Sequence, residues 1–437
     1  MTTQLTPFGK PMLKHWLFDP SYKNLNHGSF GAHPAPVRDA QRAFLDLADS
    51  RPDPYIRLEH TKLLQKAREA VAQIVNAPTD ECVFVKNATT GVATVLYNLN
   101  FQPKEALIYF EPVYGAVEKG IVSFQEHSSF QARKVNFHFP ITVDELERRF
   151  RETVSSARNE GLTVRAAVFD TIVSNPGIRF PFERFIGICR EEGILSVIDG
   201  AHGIGQIPLD MKTLQPDFFT SNCHKWLYTP RSAAILYVPK RNQHFMRSTL
   251  PTSWGFIAAA GSAETMASIL HSSSLRAMTR HYICVEAALK FRKEVCGGEE
   301  AIMGYCEKVA NEGADVVANI LGTDVLQEPG LKPGEKSQMR ACALTTVRLP
   351  IAVADSSDGG SMVPGTLVTL STTEASRAFP FIQRQLLEKY NTFVPVFQHG
   401  PWLWTRLSGQ IFLEKSDFEW LGGILRDLCE QVARRDF

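Results

Sequence analysis

Between residues 82 and 238 short apolar runs alternate with helical patterns, and no other feature of the chain narrows its fold as far. The runs are Cys82–Lys86, Ala106–Phe110, Val164–Asp170, Ile194–Asp199, Asp217–Ser221 and Ala233–Val238. Helices are predicted from about Thr89 to Asn98 and from the end of the second run through Phe124. Apolar runs of about four to eight residues read as strands buried on both faces. Strands that alternate with helices need crossover connections, so the implied architecture is α/β, a mostly parallel sheet covered on both sides.

The flanks are built differently. One helix is predicted near 36–49, and an amphipathic helix over 60–76 carries Leu63, Leu64, Ala67, Ala70, Val71, Ile74 and Val75 on one stripe. From about residue 285 the elements come in blocks: helices at Val285–Val295 and Ala301–Leu321, a strand at Arg340–Leu349, a helix at Thr373–Tyr390, strands at Thr392–Phe397 and Leu403–Phe412, and a helix at Asp417–Arg435. Pro395 confines its strand to a sheet edge. Blocks of this kind indicate a smaller α+β domain. A chain of 437 residues exceeds one ordinary core, and the expected division is an N-terminal arm and loop over 1–35, a large domain over 36–290 and a small domain over 291–437. Val353–Gly365 reads as a surface loop.

Composition removes several functions. A net charge of +1 offers no electrostatic case for a nucleic-acid or anionic-membrane partner. None of the eight cysteines has C-x-x-C or zinc-ligand spacing, so reduced, buried thiols and no metal are expected. No apolar run approaches the roughly 20 residues that span a bilayer. The first residues carry no basic flank or apolar core, so a cytoplasmic protein is expected.

Polar residues cluster where the runs end. Asp199 closes an apolar strand, and a carboxylate there can hold a pyridine nitrogen protonated or simply cap the next turn. His202 follows three residues later and can reach the same ring. Lys225 lies between His224 and Trp226, after the strand ending at Ser221. An amine nucleophile must be partly deprotonated, which cationic and apolar neighbours favour, although a solvated lysine is the commoner reading. Ala88, Thr89 and Thr90 open a helix after a strand, where free N–H groups bind anions and where Asn87 or Thr89 can equally act as an N-cap. Tyr114 can stack on a planar group at the sheet edge or pack as an ordinary aromatic. Asn175 lies in an Asn-Pro-Gly turn. Arg406 can grip a carboxylate or form a strand salt bridge. No single position decides the matter; their order along the chain does.

That order resembles the class V aminotransferase-like group of fold-type-I enzymes that use pyridoxal 5'-phosphate (PLP), over nearly the whole chain. Val85-Lys-Asn-Ala-Thr-Thr-Gly, Val295-Cys-Gly-Gly-Glu, Gln338-Met-Arg and Thr346-Val-Arg-Leu-Pro-Ile-Ala are similar to fungal loline-pathway enzymes, which form carbon–carbon bonds by Mannich-type cyclisation. Asn24-Leu-Asn-His-Gly-Ser-Phe-Gly, Arg179-Phe-Pro-Phe, Asn222-Cys-His-Lys-Trp-Leu, Arg241-Asn-Gln-His and Ser416-Asp-Phe-Glu are similar to the ergothioneine-pathway carbon–sulfur lyases.

The resemblance implies a PLP fold of type I, with a large, mostly parallel domain and a smaller C-terminal α+β domain. It implies Lys225 as the Schiff-base lysine and Cα base, Asp199 at the ring nitrogen, and His202 and Tyr114 beside the ring. Asn175 would lie near the ring hydroxyl, with Ala88, Thr89, Thr90, Ser221 and His224 at the phosphate. Arg406 would bind the substrate carboxylate, with Asn26, His27 and Ser29 bordering the substrate. It further implies a homodimer acting on a small amino acid, with an aldehyde as a second reactant in the cyclising case. The leading expectation is Mannich cyclisation in alkaloid or cyclic amino acid biosynthesis. The alternatives are a carbon–sulfur lyase (acting on hercynylcysteine sulfoxide, or desulfurase-like), an amino-acid epimerase, or a binding module that has lost its chemistry. One departure stands out. The family's segment through which a neighbouring subunit contacts the phosphate is shortened and altered over Ala258–His281, so either Ser272–Ser274 or Arg276 replaces its threonine or that contact is lost.

Overall fold

The computed structural model describes residues 5–247, 280–332, 334–354 and 365–437. Nine short strands precede residue 240: β1 (Cys82–Val85), β2 (Glu105–Phe110), β3 (Gln131–Val135), β4 (Thr163–Asp170), β5 (Ile172–Val173), β6 (Ile178–Arg179), β7 (Leu195–Asp199), β8 (Phe218–Asn222) and β9 (Ala234–Tyr237). Seven of them form one sheet in the order β1-β9-β8-β7-β4-β2-β3. Strands β3, β2, β4, β7 and β8 run parallel, and β9 is antiparallel to both its neighbours.

The sheet is apolar on both faces, as its uninterrupted runs require. Leu107, Ala166, Val168 and Val197 enter one cluster with Val92, Val95 and Leu96 of the helix Ala88–Leu99. Their alternating neighbours Ile108, Ala167, Phe169 and Ile198 enter the other with Phe150 and Phe185. On that second face Phe110 stacks on Phe150 at a centroid distance of 5.4 Å and meets Phe185 edge-on at 5.0 Å.

Among the elements of this domain that carried no expectation from the sequence are β3, the helix Val143–Asn159 and the helix Phe182–Glu192. The C-terminal part is a second sheet, ordered β11-β10-β13-β12, from β10 (Leu344–Val353), β11 (Val368–Leu370), β12 (Val396–His399) and β13 (Trp402–Ser408). The helices Glu299–Leu321, Thr372–Glu388 and Lys415–Ala433 accompany it. Here the strand boundaries differ from expectation. β10 starts at Leu344 rather than Arg340 and continues past Pro350, which its register shift between Arg348 and Ala352 accommodates. β12 is shorter than expected and lies at the edge, after Pro395. Residues 355–364 of the expected surface loop, and 258–279 of the altered segment, lie outside the described residues.

The N-terminal segment joins the two sheets. Gly28 N–H donates to Ser408 Oγ at 3.3 Å, and Lys23 pairs with Thr392. All eight cysteines are buried and none forms a disulfide, as expected. Among the described residues no helix is long and apolar enough to cross a membrane, and no cluster of potential metal ligands is present.

Candidate active site

The C-terminal ends of β4, β7 and β8 converge on one point. β7 ends at Asp199; β8 ends at Asn222 and turns at once into the short helix Cys223–Trp226, which carries Lys225. Gly200 N–H donates to Thr220 O at 2.7 Å and so keeps β7 and β8 together to the edge. Lys225 Nζ lies 3.2 Å from His202 Nε2. Trp226 Nε1–H donates to His202 Nδ1 at 3.2 Å. That bond makes Nδ1 the acceptor and leaves the imidazole proton on Nε2, where it can be donated only to an uncharged amine. Burial and the charge of Arg406 agree with this arrangement, lowering the Lys225 pKa to about 7 against the pull of Asp199 and Asp170. Burial and the Lys225 charge likewise hold His202 well below its usual value, so it is neutral.

The lysine's backbone is gripped from outside its own turn. His27 Nε2–H donates to Lys225 O at 2.7 Å, and Arg292 Nη1 to Trp226 O at 2.7 Å. Arg292 is wholly buried, paired with Glu299 and lying 4.7 Å from the Tyr228 ring centroid. Gly31 passes so close that a Cβ there would meet His224 O at 1.8 Å, and its φ of +64° suits only glycine.

Asp199 Oδ1 accepts Ala201 N–H at 3.0 Å, while Oδ2 is buried with no hydrogen-bond partner among the described residues. Tyr114 is 48 % exposed at the start of the helix Gly115–His127. Arg406, by contrast, is 1 % exposed. Its Nη1 donates to Ser174 O and Ser174 Oγ, both at 3.0 Å. Its Nη2 donates to Asn26 Oδ1 at 2.8 Å and Ser29 Oγ at 2.7 Å. Four of the guanidinium's five N–H groups thus meet neutral acceptors, and Nε has none among the described residues. Burial lowers its pKa to about 10, which leaves it charged at neutral pH.

Three of the residues expected at the cofactor or the substrate have partners within the protein. Ser221 Oγ donates to Gly200 O and accepts Ile204 N–H, so this fully buried hydroxyl braces the turn after β7. Ala88 N–H is spent on Asn222 Oδ1 at 2.9 Å. His27 faces inward among Trp16, Trp226, Tyr228 and Phe412, where burial lowers its pKa to about 4, and it holds the Lys225 backbone.

The others have mixed surroundings. Thr90 N–H caps on Asn87 Oδ1, so Thr89 N–H and the two hydroxyls are what the turn can still offer. His224 Nδ1–H donates to Ala233 O, and burial lowers its pKa to about 4. Donation from its Nε2 therefore needs a second proton, which an adjoining anion would favour. Asn175 is exposed, in the turn between β5 and β6. Several participants were not anticipated. Asp170 ends β4 as Asp199 ends β7, which is a readable signal. Nothing local marks Ser174, Asn222 or Arg292.

An open α/β sheet with an amine of lowered pKa, a strand-end carboxylate and a buried guanidinium defines a PLP enzyme of fold type I. The aminotransferase class-V family model matches residues 35–293, more than half of the chain, and the chain belongs to that family. It is 42 % identical over 445 aligned positions to the L-cysteine desulfhydrase-like protein lolT1 of Epichloe uncinata, covering 98 % of each chain. It is 28 % identical to the hercynylcysteine sulfoxide lyase of Schizosaccharomyces pombe, covering 97 % of this chain and 98 % of that one. The cystine C–S lyase C-DES, solved with its product cysteine persulfide, superposes with a TM-score of 0.71 at 16 % identity, covering 96 % of this chain and 99 % of that one. The family's cofactor is PLP, and the site fits it. Asp199 Oδ2 is a buried oxygen awaiting a donor, and Lys225 Nζ is an amine held ready to lose its proton.

Proposed function

We propose that this enzyme takes the Cα proton from an α-amino acid and forms a new carbon–carbon bond at that carbon, closing a nitrogen heterocycle by Mannich-type cyclisation. The reading is carried by the motifs that resemble those of loline-pathway enzymes, one of which, opened by Thr346, lies opposite Arg406, and the full-length similarity to lolT1 accompanies them. Thr346, which opens one of those motifs, accepts Gly177 N–H at 2.7 Å and so fixes the β5–β6 turn beside Arg406.

Bound PLP supplies an electron sink for the charge left at Cα. Lys225 Nζ, near neutral pH an even mixture of amine and ammonium, removes that proton, and His202 orients the amine. In this reading Asp199 sits at the ring nitrogen, Tyr114 stacks on the ring and Asn175 lies near its hydroxyl. Thr89, Thr90 and His224 face the phosphate. Arg406 takes the substrate carboxylate by exchanging two of its neutral acceptors for it, so Asn26 and Ser29 shift when substrate enters. The active unit is a cytoplasmic homodimer, divided near residues 35 and 290, and an aldehyde supplies the electrophilic carbon.

Incubation with diamine-type amino acids and a panel of aldehydes, followed by mass spectrometry, tests the reading. A condensed cyclic product is expected, and its absence across the panel counts against it.

The relatives' names favour a second reading, a carbon–sulfur lyase that expels a β-sulfur group. It is distinguished by pyruvate and a sulfur product released from a cysteine-derived sulfoxide. It does not extend to a desulfurase relay through a mobile thiol, because all eight cysteines are buried and burial pushes the Cys342 thiol up to about 12.

A further inference from the structure

Asp199 has a neighbour that the mechanism above leaves idle. β4 and β7 are parallel and in register to their last residues, which sets Asp170 opposite Asp199. Adjacent strands lie about 5 Å apart, and register-matched residues of a parallel pair leave the sheet on the same face. Both residues are buried, Asp170 at 6 % and Asp199 at 1 % exposure. Thr171 N–H donates to Asp199 O at 3.1 Å, so the strands do not splay beyond the pair. The cationic group facing both carboxyls is Lys225, from the turn after β8. Arg406, from β13, lies behind it and acts on Lys225 and His202.

Two carboxylates one strand apart in a dry site do not both ionise. The two are unequal. Asp199 accepts the Ala201 N–H, and that bond and the Lys225 charge both favour its ionised form. Burial and the negative charge of Asp199 push Asp170 well above the carboxylate range. The proton belongs on Asp170.

We infer that Asp170 is a positioning residue, the proton-holding half of an acid–carboxylate pair that keeps a single negative charge on Asp199 for the cofactor's ring nitrogen. The inference rests on the placement of Asp199 proposed above.

The test uses the holoenzyme and three variants, Asp170→Asn, Asp170→Ala and Asp199→Asn. Two quantities are read: the pH midpoint of the bound cofactor's visible absorbance, and PLP affinity by equilibrium dialysis. Asparagine imitates a protonated aspartate, so Asp170→Asn is expected to keep the midpoint within about 0.3 unit of the parent and the affinity within about twofold. Asp170→Ala removes the acid and is expected to weaken PLP binding about tenfold. Asp199→Asn is expected to move both readouts further. If Asp170→Asn lowers the midpoint by about one unit or more, the parent residue carries a negative charge and the inference is overturned. Parental affinity in Asp170→Ala overturns the positioning role. A silent Asp199→Asn variant sinks the ring-nitrogen assignment, and the pair with it; an altered Asp199→Asn beside unaltered Asp170 variants sinks the pair alone. Should the alanine variant not fold, the asparagine variant still decides where the charge lies.

Discussion

The lysine cradle and the arginine corner are neighbours built on opposite plans. The cradle draws Asp199, His202, Lys225 and Trp226 from two adjacent strands and the turns that follow them, within 28 residues of chain. Among the described residues its polar atoms meet few hydrogen-bond partners: Asp199 Oδ2 has none, and Lys225 Nζ has one imidazole. The corner draws Asn26, Ser29, Ser174 and Arg406 from three distant segments, and four of the guanidinium's N–H groups are already satisfied. The cradle is left hungry for a cofactor, whereas the corner has all but its Nε–H paired before any carboxylate arrives. Buried polar groups that lack partners are costly, so the cradle carries its cost in advance and recovers it on binding. The corner stabilises the fold until substrate disturbs it.

Removing the cradle's amine tests this contrast most severely. Lys225→Ala is expected to lower kcat by at least about 1,000-fold while the protein still folds, measured as turnover beside a thermal melt. Arg406→Lys acts at the corner, where a single ammonium cannot replace a four-bond fork. A rise in KM of about 100-fold and a loss of about 2 kcal/mol in stability are expected, since Asn26 and Ser174 lose their donors. If stability is untouched, the corner is not the structural tie described.

The cradle also has a pH signature. With the Lys225 pKa lowered to about 7, its free-amine fraction falls about tenfold per unit below that and levels above about pH 8. The rate at which cofactor-free protein gains visible absorbance on adding PLP should follow the same curve. A midpoint near that of an ordinary lysine would contradict the lowered value. The gentlest probe is Ser29→Ala, which deletes one of the four contacts on Arg406. A several-fold change in KM and a stability change of about 1 kcal/mol are expected by steady-state kinetics and denaturant titration.

The two plans also explain what could be read from the sequence. Asp199 and Lys225 stood out because each follows a buried strand whose apolar run ends abruptly, and the resemblance gave them roles. Asp170 ends a strand in the same manner and went unread, because a lone carboxylate has no meaning until register supplies its neighbour. The helix Val143–Asn159 was missed for another reason. Its buried stripe is only Leu146, Phe150, Val154 and Ala157, set among glutamates and arginines that pair with one another on the surface. For the corner, Arg406 was marked by the resemblance and its partners were not, since neutral acceptors such as Ser174 O carry no signature. His27 is buried against Trp16 and Phe412, a placement the sequence does not signal. Which way a side chain leaves a short turn depends on packing against Trp16 and Phe412, and the sequence does not state that.

The pairing of Asn26 and Ser29 with Arg406 also orders events during synthesis. A ribosome that has reached residue 300 has made the lysine, both aspartates and the whole seven-stranded sheet, so the cradle can assemble on the nascent chain. The guanidinium that fastens the loop carrying Asn26 is still more than a hundred codons away. Until it arrives, Asn26 and Ser29 lack that partner, although His27 can already hold the Lys225 backbone. On the proposed reading, a chain at that stage could meet its cofactor before it had the guanidinium that grips a substrate carboxylate.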